Sequence, residues 1–216
     1  AITKLLVGID QGRFPRHEED ANLLLGGLYL SYGLHLEAES LFNQMIKKGA
    51  APEVRDRAWL HLGRIRYEKG LPEEAIRALE EVGDELPDDV KFGVNMQMAN
   101  LLINKREFGQ AIELLNDLPD MDDKDTYARY NLGVALYRNG QPIQGAEELD
   151  KVGQVSSTDP TIQALRDKAN LALGYALLVG GDPLKAKAYF HRLRLSGPFS
   201  NKALLGFGWS NALLND

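Results

Sequence analysis

The sequence predicts an all-α fold, a repeat solenoid of stacked antiparallel helix pairs. A Leu-Gly pair recurs at Leu25-Gly26, Leu62-Gly63, Leu132-Gly133 and Leu173-Gly174, with a degenerate copy at Met98-Ala99 and a last half-copy at Leu205-Gly206. Successive copies begin 32–41 residues apart, the period of supersecondary units that stack on one another. After each of the four clear pairs come a tyrosine or leucine, then a glycine, then a small residue and a large apolar one, at helical rather than strand-like intervals.

Taken in order, the chain opens midway through a unit. Ala1 and Leu5 fit the small and large positions of a second helix, 37 residues before Ala38 and Phe42. Residues 1–14 therefore read as the end of a truncated repeat, with Ile2, Leu5, Leu6 and Ile9 needing cover, and Gln11–His17 as a looser segment. The first full repeat, 19–52, carries Leu25-Gly26, Tyr29, Gly33, Ala38 and Phe42. The second, 56–87, carries Trp59, Leu62-Gly63, Tyr67, Gly70, Ala75 and Leu79. The third, 92–123, carries Met98-Ala99, Leu102, Ala111 and Leu115 and lacks the turn glycine. The fourth, 126–157, carries Leu132-Gly133, Tyr137, Gly140, Gly145 and Leu149. The fifth, 167–198, carries Leu173-Gly174, Leu177, Gly181, Ala186, Phe190 and Pro198; Gln154–Pro160, before it, lengthens one spacing to 41 residues. Residues 199–216 form a terminal first helix, from about Ser200 to Asn215. The expected organisation is one solenoid of about five repeats plus half-repeats at both ends. Neither end presents the clearly polar face of a capping repeat, so the chain reads as a piece of a longer repeat protein, or as one whose ends pack against another copy.

Each repeated position has a physical reason. Helices approach closely only where small residues meet, and Gly26, Gly63, Ala99, Gly133 and Gly174 on first helices face Ala38, Ala75, Ala111, Gly145 and Ala186 on second helices. A bulkier side chain there overpacks the contact at a cost of about 1–3 kcal/mol. Gly33, Gly70, Gly140 and Gly181 fall where a helix must stop, because glycine takes the left-handed cap without steric cost. Phe42, Leu79, Leu115, Leu149 and Phe190 lie one turn after the small residue and face the same core stripe. Pro52, Pro87, Pro160 and Pro198 are expected to end second helices, because proline inside a helix removes a hydrogen bond and clashes.

With these positions laid over one another, the chain resembles the tetratricopeptide repeat (TPR) family, whose pattern runs Trp-x2-Leu-Gly-x2-Tyr, then Gly, then Ala-x3-Phe and a terminal Pro. The segment Trp59-Leu60-His61-Leu62-Gly63 matches it most fully. The resemblance covers nearly the whole chain and implies a right-handed superhelical solenoid that works as a non-enzymatic scaffold or adaptor for a protein or peptide partner.

Other classes find little support. The 31 acidic against 25 basic residues give a net charge of -6, unsuited to tracking nucleic-acid phosphates. No stretch approaches a membrane-spanning length of about eighteen apolar residues, and the chain is expected to be soluble. There is no cysteine, which excludes disulfide and thiolate chemistry and suits the bacterial periplasm and the cytoplasm alike. His17, His35, His61 and His191 share no metal-ligand spacing; His17-Glu18-Glu19-Asp20 reads as an acidic helix start, favoured by the macrodipole. Gly206-Phe207-Gly208 reads as close helix packing. Asp117, Asp120, Asp122, Asp123 and Asp125 lack the glycine and glutamate of a calcium loop and read as a solvated loop. No nucleophile elbow or phosphate loop is present, and neither a cofactor nor a metal is expected.

The resemblance implies that first helices line a concave groove. It places His61, Arg64 and Tyr67 there from the second repeat, and Gln97, Asn100 and Asn104 from the third. From the fourth come Tyr127, Tyr130, Asn131, Tyr137 and Arg138, and from the fifth Tyr175. Tyrosine gives rigid, half-apolar contact, asparagine and glutamine pair with a peptide backbone, and arginine grips carboxylates. Tyr67 and Tyr137 could equally pack between repeats. Some family members clamp a terminal carboxylate with a lysine and asparagines from successive first helices. Asn100 and Asn131 resemble the asparagines, whereas Leu23 and Leu60 stand where the lysine would be, which favours a different extended or helical ligand. Leu23, Leu30 and Leu60 suggest a mixed groove. Two further readings remain: a structural link through end-to-end contacts, and the docking arm of an enzyme whose catalytic domain lies outside this segment.

Overall fold

The structure is a computed structural model that describes residues 1–83, 86–118 and 125–215. Among these residues twelve helices form and no strand does: α1 (Ile2–Asp10), α2 (Glu18–Ser31), α3 (His35–Lys47), α4 (Pro52–Glu68), α5 (Pro72–Glu80), α6 (Asp88–Asn104), α7 (Phe108–Asn116), α8 (Asp125–Arg138), α9 (Pro142–Gly153), α10 (Pro160–Val179), α11 (Pro183–His191) and α12 (Ser200–Leu214). The all-α class of helix pairs is therefore as the periodicity predicts. Two compact units are distinguished, Ala1–Leu101 and Leu102–Asp216.

The same cap closes the first helix of every pair. Gly33, Gly70, Gly140 and Gly181 have φ of +73°, +73°, +78° and +80°. The next amide in each case reaches back to a carbonyl five residues earlier: Leu34 to Tyr29 at 2.8 Å, Leu71 to Arg66 at 2.9 Å, Gln141 to Leu136 at 3.0 Å and Asp182 to Leu177 at 2.9 Å. This is a Schellman closure, which satisfies carbonyls the helix end would otherwise leave orphaned. In the third pair the glycine is missing from the sequence but the closure is not. Arg106 takes φ +65° and Glu107 N–H donates to the Leu102 carbonyl at 2.8 Å. A side chain in that region costs about 1–2 kcal/mol.

The starts of the helices differ from expectation. Pro52 and Pro160 open α4 and α10 rather than close the preceding helices, and Pro72, Pro142 and Pro183 open the second helices α5, α9 and α11. At the first helical position proline gives up an amide that has no intrahelical partner, and its fixed φ already suits a helix. The widest repeat spacing has the same origin: α10 runs for 20 residues against 14 in α8, so the added length is mostly helix.

The crossings are as tight as the small residues imply. A Cβ built on Gly63 would lie 2.8 Å from Leu79, on Gly133 2.8 Å from Leu149, and on Gly174 2.6 Å from Phe190. Ala38, Ala75, Ala111 and Ala186 are fully buried. In the first unit Ala38, Phe42, Met45, Ala58, Leu62 and Ile65 form one core, and Ala75, Leu79 and Leu101 another. In the second, Leu149, Val152, Ala169 and Leu173 form one core, and Leu171, Ala186, Phe190, Leu193 and Ala203 another.

The last helix sits two residues out of the expected register. Ala21, Ala58, Ala128 and Ala169 are buried five residues before the crossing glycine of their helices. On α12 the buried alanine is Ala203, which makes Gly208, not Gly206, the crossing position. Gly206 instead packs onto the Phe190 ring, and a Cβ on Gly208 would meet nothing within 4 Å. The half-copy is thus Phe207-Gly208, 34 residues after Leu173-Gly174.

Candidate functional site

Within each unit the first helices are neighbours. The backbones of α2 and α4 approach closely, as do those of α10 with both α8 and α12; among the described residues no such backbone approach joins α3 to α5 or α9 to α11, and α9 and α11 meet only through side chains such as Tyr189 and Asp150. Each stack is therefore tighter on the side of its first helices, the side on which the candidate residues lie.

In the first unit Arg64 is largely exposed and pairs with Glu68 one turn on, Nε to Oε1 at 2.9 Å. Tyr67 is exposed. Gln97 is half-buried, and its Nε2 donates to the Leu60 carbonyl at 3.3 Å. That bond ties α6 to α4, while its Oε1 is buried without a partner. Asn100 is half-buried. His61 is not a free groove residue: its ring stacks on Phe42 with centroids 5.0 Å apart and planes 15° apart. Burial, with Arg64 and Arg57 nearby, lowers its pKa from 6.5 to about 4, so the imidazole is neutral near pH 7 and offers no cation to a ligand.

In the second unit Tyr127, Tyr137 and Arg138 are exposed on α8 and Asn104 near the end of α6, whereas Tyr130 and Asn131 are half-buried. Lys168 Nζ sits 4.9 Å from the Tyr130 ring centroid, a cation–π contact between α8 and α10. Tyr175 is turned to packing: its hydroxyl donates to the Lys202 carbonyl at 2.9 Å and its ring meets Phe190 edge-on at 5.2 Å. It fastens α10 to α12. Tyr67, Asn100, Asn104 and Asn131 each have an interaction partner within the structure. Leu23 and Leu30 pack against the Phe42 core and Leu60 against the Leu79 core, so the apolar groove residues suggested by the sequence are interhelix packing. The exposed recognition chemistry on the first helices reduces to Arg64 and Tyr67 in one unit and Asn104, Tyr127, Tyr137 and Arg138 in the other.

A recurrent acid went unnoticed in the sequence. Glu19, Asp56 and Asp167 each lie seven residues before the crossing glycine of a first helix. Glu19 accepts from the Ala51 N–H at 3.0 Å and Asp56 from the Gly83 N–H at 3.3 Å. Asp167, 1 % exposed, accepts from Arg194 Nε at 2.7 Å and from Arg166 Nη2 at 3.1 Å. Each acid ties its helix to the segment after the second helix of its own repeat. The available signal was the Arg-Asp pair repeated at Arg55-Asp56 and Arg166-Asp167.

The acidic start of α2 is as expected, with Glu18, Glu19 and Asp20 in its first turn. Of the acidic run, Asp120, Asp122 and Asp123 lie outside the described residues. Among the described residues no three His, Asp or Glu side chains are grouped to hold a metal, and no helix is long and apolar enough to cross a membrane.

Two family models described as "Tetratricopeptide repeat" match the chain, over residues 36–90 and 68–130. No curated protein matches it. Among solved structures it is similar to Pseudomonas aeruginosa pilF, at 17% identity and a TM-score of 0.69, covering 97% of this chain and 87% of that one. It is also similar to a Podosopora anserina putative kinesin light chain with nearly identical TPR-like repeats, at 19% identity and a TM-score of 0.57, covering 80% and 92%. These likenesses show the fold. TPR proteins bind protein partners and typically serve as non-catalytic scaffolds. With both family matches falling on the registered helix pairs, residues 36–130 carry tetratricopeptide repeats.

Proposed function

We propose that this chain is a non-enzymatic adaptor that holds a protein segment against the side of each stack formed by its first helices. The reading rests on the tetratricopeptide repeat matches and on one observation: Arg64 and Tyr67 in the first unit, and Tyr127, Tyr137 and Arg138 in the second, are exposed on α4, which packs beside α2, and on α8, which packs beside α10. Exposed tyrosine beside arginine suits a segment carrying apolar side chains and a carboxylate. Asn100, Tyr130 and Asn131, half-buried on first helices, supply amide and hydroxyl groups to a peptide backbone. Affinity capture from native extract tests this, comparing the parent with an Arg64→Ala, Asn100→Ala, Tyr130→Ala, Asn131→Ala variant of equal helicity. A partner held by the parent and lost by the variant is expected; partners held equally by both would sink the reading.

A second reading, a structural link through repeat ends, draws on α12. Leu205, Trp209 and Leu213 are 57%, 62% and 59% exposed and follow one another at four-residue intervals, beside the open Gly208. Trp209→Lys would abolish self-association measured by sedimentation if that surface joins copies, and leave the mass unchanged if it does not.

A further inference from the structure

We propose that the groove bounded by α1, α2 and α3 is a second interaction site, which takes a basic amphipathic helical segment of a partner protein. A cavity of about 860 Å³ lies between these helices. Its apolar lining comes from Leu6 and Ile9 of α1, Leu25 of α2, and Leu41 and Met45 of α3. Leu36, also in the lining, is 72% exposed, a large apolar side chain left in water at the mouth. The lining residues of α2 run from Glu18 to Tyr29, a length of about 16 Å at 1.5 Å per residue, or three turns of a docked helix.

Charge selects the occupant. Asp10, Glu18 and Glu37 line the groove against Lys48, and none of these three carboxylates has a cation partner among the described residues. Glu19, also in the lining, is already engaged by the Ala51 N–H. A helix with apolar residues on one stripe and Lys or Arg flanking it would bury the first in the groove and set the second against the carboxylates. The same negative rim repels phosphate, which disfavours a nucleic acid or an anionic lipid surface. The site shares none of the side chains assigned to the first-helix reading, so either can fail without the other.

The probe is a synthetic amphipathic peptide of leucine and lysine, about fourteen residues long to cover three turns, with a glutamate-for-lysine counterpart, both followed by fluorescence anisotropy. The parent should bind the basic peptide and not the acidic one, more tightly at low salt. Glu18→Lys with Glu37→Lys should weaken binding about tenfold, and Glu147→Lys, on an exposed face of α9, less than about twofold. The chain has no cysteine, so a bulky maleimide on Ser40→Cys, inside the groove, should block binding, and one on Glu147→Cys should not. No binding by the parent, equal binding of the acidic peptide, or equal loss in the Glu147 and groove variants would overturn the proposal.

Discussion

Gly145→Ala sets repeat consensus against geometry. Four of the five repeats carry alanine at this position, as Ala38, Ala75, Ala111 and Ala186, and in a helix interior alanine is ordinarily better than glycine by about 0.5–1 kcal/mol. In α9 the added Cβ would lie 2.7 Å from the Gly133 carbonyl oxygen, 2.7 Å from Tyr137 N and 3.0 Å from Tyr137 Cα. These are backbone atoms, and no rotamer change relieves the clash; α8 and α9 must move apart. Overpacking costs about 1–3 kcal/mol, and a clash with backbone on which no side chain can yield falls in the upper part of that range, about 2–3 kcal/mol, so the net effect is destabilisation by about 1–2.5 kcal/mol once the propensity gain is subtracted. Gly27→Ala is the control, since a Cβ there meets nothing within 4 Å, and it should stabilise by about 0.5–1 kcal/mol. Because repeat arrays respond locally, urea unfolding by circular dichroism should be paired with amide exchange, which should accelerate in α8 and α9. A Gly145→Ala protein as stable as the parent, or more so, would refute the close approach of these helices.

Arg106→Gly should stabilise the chain by about 0.5–1 kcal/mol in urea unfolding, the relief of left-handed strain less the greater freedom of unfolded glycine. Asp167→Ala should cost about 3–5 kcal/mol, because it strips a buried carboxylate from Arg166 and Arg194; amide exchange in α10 and α11 would report it. His61 should titrate near pH 4 by NMR, since burial lowers its pKa from 6.5 to about 4. The unfolded chain then binds the proton more tightly. The stability that His61 contributes is full above about pH 6.5 and is lost as pH falls toward 4, and His61→Phe should flatten that slope.

The parts of the fold legible in the sequence are those set by residues with narrow steric tolerance. The tip glycines and crossing residues could be read directly, because few other side chains fit a left-handed cap or a tight crossing. Proline was legible as punctuation but not in sense, since it both stops one helix and starts the next. Arg106 was invisible because its conformation is imposed by the helices on either side. The register of α12 was missed because Leu205-Gly206 imitates the repeat signature two residues early. On the candidate faces, exposed Arg64, Tyr127 and Arg138 follow from helical position alone. The stacking of His61 on Phe42 and the Tyr175 bond to Lys202 depend on how neighbouring helices meet, which no single helix encodes.

Site-specific photo-crosslinking tests the central claim most directly. A photoreactive residue placed at Arg64 or Tyr127 on first helices, or at Ile143 or Glu147 on the second helix α9, is activated in cells that make the protein. The account predicts a discrete adduct with one protein from the first-helix positions and none from α9. Adducts confined to the α9 positions would contradict it.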